Sequence, residues 1–211
     1  MLAVGTRSAS PATRRQEILD VAAAVFARQG IANTTVRDIG EEAGILSGSL
    51  YHHFSSKDEI VEEIIRAALD PDIELDVALA HSEVEPPEAV RQLLVRSLRF
   101  THDHPDVAVI IANGRHELLA AERFDFLHTR GAAIRASWVA VLERGKAQGV
   151  FRADLDPDLT YKAVMGAVSA APNWYRRSGA HDIDEIAEGF VTLFLRGITV
   201  RGDAPTSALE G

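Results

Sequence analysis

The chain contains no cysteine, which excludes disulfides, thiolate metal sites and nucleophilic thiol chemistry together. Long apolar runs are missing as well. The longest nearly uncharged one, Val107 to Ala112, is far short of the roughly 20 residues that span a bilayer. No apolar block follows the segment Met1 to Pro11, so a soluble, cytoplasmic protein with no membrane partner is expected. No serine elbow, glycine-rich phosphate loop or strand-tip carboxylate pair occurs, and Ser47-Gly48-Ser49 lacks the preceding strand that a nucleophile turn needs. An enzyme is therefore not expected, nor is a cofactor. Basic residues are few, with 22 Lys and Arg against 31 Asp and Glu and a net charge of −9. That balance weighs against a nucleic-acid partner until its distribution is read. Up to Arg37 there are five arginines (Arg7, Arg14, Arg15, Arg28, Arg37) against two acids, Glu17 and Asp20. A local basic end suffices, because attraction to phosphates acts over about 10 Å at moderate salt.

What is present is helical pattern. With 46% hydrophobic residues over 211 positions the chain can bury a full core, and its apolar residues recur at three and four with no sustained alternation, so the expected fold is all-α. A first helix has a reciprocal cap in Thr13 and Gln16, an apolar stripe of Ile18, Ala22, Val25 and Phe26, and a stop at Gly30. Thr35 with Asp38 caps a short second helix that ends at Gly44, and Ser47 opens a third running to about His53. Ser56 with Glu59 then caps a long fourth helix from Lys57, with a boundary or kink near Pro71. Further helices are expected over 88–102, 110–119, 124–148 and 157–176, the last of these interrupted by Pro172. Asp182 with Glu185 opens a final helix to about Val200. The expected domains are 1–57, a three-helix DNA-binding unit, 58–203, a larger helical ligand-binding and dimerisation unit, and a flexible tail, 204–211.

Two short helices separated by a glycine turn, directly after a longer helix, form a helix-turn-helix. Its apolar set is Val36, Ile39, Ala43, Ile45, Leu50 and Phe54, which leaves Ser49, Tyr51, His52 and His53 facing out. Tyr51 and His52 can donate to phosphate oxygens, Ser47 and Ser49 can reach base edges, and Gly48 permits close approach to a base. Thr35 and Lys57, at the starts of the second and fourth helices, are candidate phosphate clamps. An ordinary tight turn followed by a half-buried helix would produce the same short pattern.

The run Thr34-Thr35-Val36-Arg37-Asp38-Ile39, followed by Ala43-Gly44-Ile45, Leu50-Tyr51-His52-His53-Phe54 and Lys57-Asp58-Glu59, resembles the DNA-binding signature of the TetR family of transcriptional regulators. The resemblance implies a homodimer on a double-stranded DNA operator, with DNA contacts from Thr35, Ser47, Ser49, Tyr51, His52 and Lys57. Within the family the chain is similar to the actinobacterial branch that regulates late cholesterol-ring catabolism. Gly44 to Phe54, Phe151-Arg152 with Asp154-Leu155-Asp156, and Trp174-Tyr175-Arg176 carry that likeness. The branch implies a small-molecule effector of acyl-CoA or related apolar type. Met165 and Ser169 stand where the branch has an arginine and a tryptophan, so its ligand identity does not follow.

In the body of the chain, small residues at Ala163, Gly166, Ala167 and Ala170, with Phe190 and Phe194 on the last helix, could pair two copies as a four-helix bundle or face the subunit's own core. Phe100, Ile110, Trp138, Met165 and Trp174 are candidates for lining an apolar effector pocket, or are simply core. A metal-responsive regulator is the alternative, because His102, His104 and Asp106 lie close in sequence with His116 and Glu117 beyond, although Pro105 breaks the helix between them. A helical ligand-binding protein or enzyme without DNA binding is the remaining alternative.

Overall fold

Residues 11–199 are described by a computed structural model, and they are helical from end to end apart from short connections. The order is α1 (Pro11–Gln29), α2 (Val36–Glu42), α3 (Ser47–Leu50), α4 (Lys57–Ala80), α5 (Pro86–Asp103), α6 (Pro105–Ala120), a 3₁₀ turn (Glu122–Phe124), α7 (Phe126–Ala147), α8 (Pro157–Ser169), α9 (Ala171–Trp174) and α10 (Ile183–Ile198). The extended pairing found among these residues is an isolated antiparallel bridge between Phe151 and Thr199. The expected tail 204–211, and Arg7, lie outside the described residues.

Two compact units divide the chain. One comprises 1–71 with 104–128, the other 72–103 with 129–211. This division differs from the boundary at 57 read from the sequence. The reason is packing: α6 lies on α1, with Gly114 facing Ile31, and Arg123 reaches Glu62 at 3.1 Å. The first half of α4 and all of α6 therefore complete the core of the first unit. Pro71 marks the change of unit, and the helical assignment of α4 continues through it.

The first unit is built on the expected stripe. Ile18, Ala22, Val25 and Phe26 of α1 are all at most 1% exposed, as residues on one face of a 3.6-residue period should be. They share that core with Ile39, Leu50, Phe54, Ile60 and Ile65. Thr13 lies inside α1 rather than capping it, and Gln16 donates to Asp20 at 2.9 Å. The second unit packs α5 against α10 and centres on Leu93, Leu94, Leu98, Trp138, Val141, Leu142, Phe151, Val164 and Val191. Arg144 ties this unit's connection together by donating to the carbonyls of Ala80, Ser82 and Val84 at 2.7–3.1 Å. The single helix expected over 157–176 stops at Ser169, because Pro172 has no N–H to give and its ring crowds the preceding turn. The final helix opens with the expected reciprocal cap between Asp182 and Glu185.

Candidate nucleic-acid interface

The helix-turn-helix expected around Gly44 is set up by local chemistry. Thr35 accepts the Asp38 N–H at 3.2 Å while the Asp38 carboxylate accepts from the Thr35 N–H at 2.7 Å, a complete capping box at the start of α2. The two Thr35 hydrogen bonds also hold the Asp38 carboxyl below its usual range. Gly44 ends the helix at φ +64, a conformation costly for any side-chain-bearing residue. Gly40 brings α2 close to α3, since a Cβ there would lie 3.0 Å from the Ile45 carbonyl and 3.4 Å from Leu50 Cδ1. The Ile45 N–H donates to the Gly40 carbonyl at 2.9 Å, closing the turn.

The third helix is shorter than the sequence suggests. Its regular part is Ser47–Leu50, capped by the backbone of Leu46 without a side-chain bond. The chain continues as tight turns through His53, with the His52 N–H on the Ser49 carbonyl and the His53 and Phe54 N–H groups on Leu50. Leu50 and Phe54 are buried as expected, whereas Val36, Ala43 and Ile45 are half-buried. On the outer side Tyr51, at 59% exposure, His52 and Gly48 are open to solvent, while Ser47, Ser49 and His53 are half-buried. Leu46 was not singled out from the sequence, and at 80% exposure it is the most open of the large apolar side chains among the described residues.

Arg15 holds the element from behind, whereas Lys57 is tied to the connection before α2. Lys57 donates to the Ile31 carbonyl at 2.7 Å and to Thr34 at 3.1 Å, which leaves one of its three donors for a phosphate. Arg15 clasps Glu63 through Nε at 3.0 Å and Nη2 at 2.5 Å, donates to the His53 carbonyl and lies 4.0 Å over the Phe54 ring. The Glu63 bond and charge raise its pKa further. The N-terminal arginines counted as a basic patch are thus engaged: Arg14 with Glu17, Arg15 with Glu63, Arg28 with Glu42 and Arg37 with Glu41. At α4, Ser56 caps Glu59 N–H at 3.1 Å, but the Glu59 carboxylate turns to Ser55 rather than Ser56.

The residues expected at an effector pocket do not form one group. Trp138 is fully buried, Met165 packs against the same core, and Phe100 is half-buried. Ile110 belongs to the core of the other unit. Trp174 is 47% exposed and stacks on Phe190, so it joins the apolar stripe expected to pair two copies. On that stripe Ala163 and Gly166 are exposed, Ala167, Ala170, Phe190 and Phe194 are half-buried, and Leu193 is 69% exposed. Among the described residues no three His, Asp or Glu side chains gather to hold a metal, and the His102 ring is instead hydrogen-bonded to the Tyr175 hydroxyl at 2.5 Å. Among them, too, no helix is long and apolar enough to cross a membrane.

Comparison with known proteins agrees with this geometry. A family profile described as "Bacterial regulatory proteins, tetR family" matches residues 18–64, and one described as "Tetracyclin repressor-like, C-terminal domain" matches 83–198. The chain is 38% identical over 190 residues to the HTH-type transcriptional repressor KstR2 of Mycobacterium tuberculosis, covering 90% of this chain and 95% of that protein. It is 39% identical to KstR2 of Mycolicibacterium smegmatis, covering 90% and 92%. The solved structure described as the ketosteroid transcriptional regulator KstR2 of M. tuberculosis superposes with a TM-score of 0.85 at 36% identity, covering 95% of this chain and all of that one. These relatives are named as regulators and repressors, not enzymes.

Proposed function

The chain belongs to the TetR family of transcriptional regulators, and we propose that it is a cytoplasmic repressor that covers a pseudo-palindromic operator as a homodimer and is released by a small apolar or CoA-thioester-like effector. One observation carries the DNA-binding half of this reading. The exposed row Leu46, Gly48, Tyr51 and His52 lies along α3 and the residues flanking it, pinned from behind by Leu50, Phe54 and Arg15. A rigid, uncharged edge of that size fits a major groove. Tyr51 and His52 position through phosphates, Ser47 and Ser49 read bases at close range, and Thr35 and the spare Lys57 donor flank the groove.

The dimer is supported by the stripe of Trp174, Phe190, Leu193 and Phe194 beside the small residues of α8. Glycines 166, 189 and 197 have open space where a Cβ would stand, with no atom of the described residues within 4 Å. A two-fold pairing of this stripe matches the symmetry of a palindromic site. Half-sites lie about 34 Å apart, so a shift of a few ångströms between the two reading helices breaks register. The effector must prefer the released state in order to act. A binding region near Trp138 is supported by its buried indole N–H, which has no acceptor among the described residues and which an effector oxygen would satisfy.

A mobility-shift titration against the DNA flanking the protein's own coding sequence, repeated with acyl-CoA thioesters and with the free acids, tests this reading. A sequence-dependent shift that one ligand class reverses is expected. Absence of any sequence-dependent shift overturns it.

A further inference from the structure

We propose that Leu46 is a specificity-determining residue that reads a thymine methyl group in the major groove. Leu46 precedes α3 as its N-cap, with φ −66 and ψ 139, and its side chain makes no capping bond. That position is ordinarily filled by Ser, Thr, Asp or Asn, whose oxygen satisfies a free N–H of the first turn. A leucine here forgoes the cap and leaves a large apolar side chain 80% exposed. Both features oppose stability in the free protein, and docking onto an apolar partner offsets them.

The location defines that partner. N-terminal residues of a recognition helix are the ones that meet base edges, and Leu46 stands at that end with Gly48 exposed two residues on. The whole stretch 43–56 contains no Arg, Lys, Asn, Gln, Asp or Glu. The bidentate readers of guanine and adenine, and the acids that read cytosine, are therefore missing from the reading element. What remains for direct readout is hydroxyl chemistry from Ser47 and Ser49, which are half-buried, and apolar contact with the one methyl group the groove displays. Leu46 is more open than either serine and is the only aliphatic side chain on the exposed row.

The inference rests on the DNA-binding reading and is tested separately from it. Duplexes are selected from a random pool by the full-length wild-type chain, and each thymine of the recovered duplex is replaced in turn by deoxyuridine, which lacks only the methyl. Wild type is expected to lose about fourfold in affinity per half-site at one thymine position, the fold-change of one buried methyl group. Leu46→Ser, which restores a capping oxygen, is expected to melt no lower than wild type, to bind more weakly, and to be indifferent to deoxyuridine at that position. If no thymine responds in wild type, or if Leu46→Ser and Leu46→Ala respond to deoxyuridine as wild type does, the assignment of Leu46 is overturned while the DNA-binding reading stands. If the wild-type chain enriches no duplex, both fall.

Discussion

The Trp174 ring stacks on the Phe190 ring with centroids 6.4 Å apart and planes inclined by 24°, and Phe190 in turn meets Phe194 at 6.2 Å. Three aromatic rings from α9 and α10 thus form one ladder beside Leu193, which is 69% exposed. Leu193→Glu places a charge on this face without disturbing the buried side of α10. The variant is expected to sediment as a monomer with unchanged helical circular dichroism and to lose most operator affinity. A variant that stays dimeric contradicts the proposed pairing.

Charge pairing at the DNA-binding end sets a second expectation. Because Arg14, Arg15, Arg28 and Arg37 each face a carboxylate, few cations among the described residues of this end are free to displace counterions. Binding should therefore weaken only gently with salt. Glu41→Gln releases Arg37, whose pair with Glu41 is exposed at 2.8 Å. Tighter binding is expected, with the log–log salt slope steeper by about one per protomer. The readout is fluorescence anisotropy from 50 to 200 mM salt, the range over which such slopes are resolved.

Buried Asp76 makes stability depend on pH. Burial pushes its carboxyl up from 3.8 to about 6, against the opposing pull of Arg96 at 2.6 Å. The folded chain therefore holds a proton that the unfolded chain releases between those values. Asp76 favours folding fully below pH 3.8, and that contribution declines as pH rises to about 6, then stays constant. The span is at most about 3 kcal/mol. Asp76→Asn mimics the protonated form. Denaturant unfolding from pH 4 to 7 should show wild type close to this variant at pH 4, falling below it as pH rises to about 6, and offset by a constant amount above that.

Close approach of α2 and α3 at Gly40 gives a fourth expectation. A Cβ 3.0 Å from the Ile45 carbonyl forces the backbone to move, and Gly40→Ala is expected to destabilise the first unit by about 1–3 kcal/mol. Chemical denaturation followed by helical circular dichroism checks this.

Local signals were legible in the sequence. The Thr35–Asp38 and Asp182–Glu185 boxes, the α1 stripe and the left-handed Gly44 depend on residues within a turn of one another, so spacing alone reveals them. Side-chain destinations farther along the chain were not. Lys57 looks like a free cation until its bonds to carbonyls 26 and 23 residues away are seen. Trp174 reads as a pocket residue because nothing nearby in sequence announces Phe190. Leu46 carries no signal in the sequence that sets it apart from its apolar neighbours, and only the fold turns it outward. Arg15 counted as basic surface, whereas Glu63, 48 residues on, makes it a clasp.

Whether α3 and the turn after it read DNA is measured directly by affinity across a panel of single-base operator variants for wild type, Tyr51→Ala and Ser49→Ala. Tyr51, exposed and able to reach a phosphate, should contribute equally on every sequence, so its loss weakens all variants together and lowers the salt slope. Ser49→Ala should reorder the variants with little change in the mean. Uniform loss in both, with the ranking intact, would contradict the reading role given to this helix.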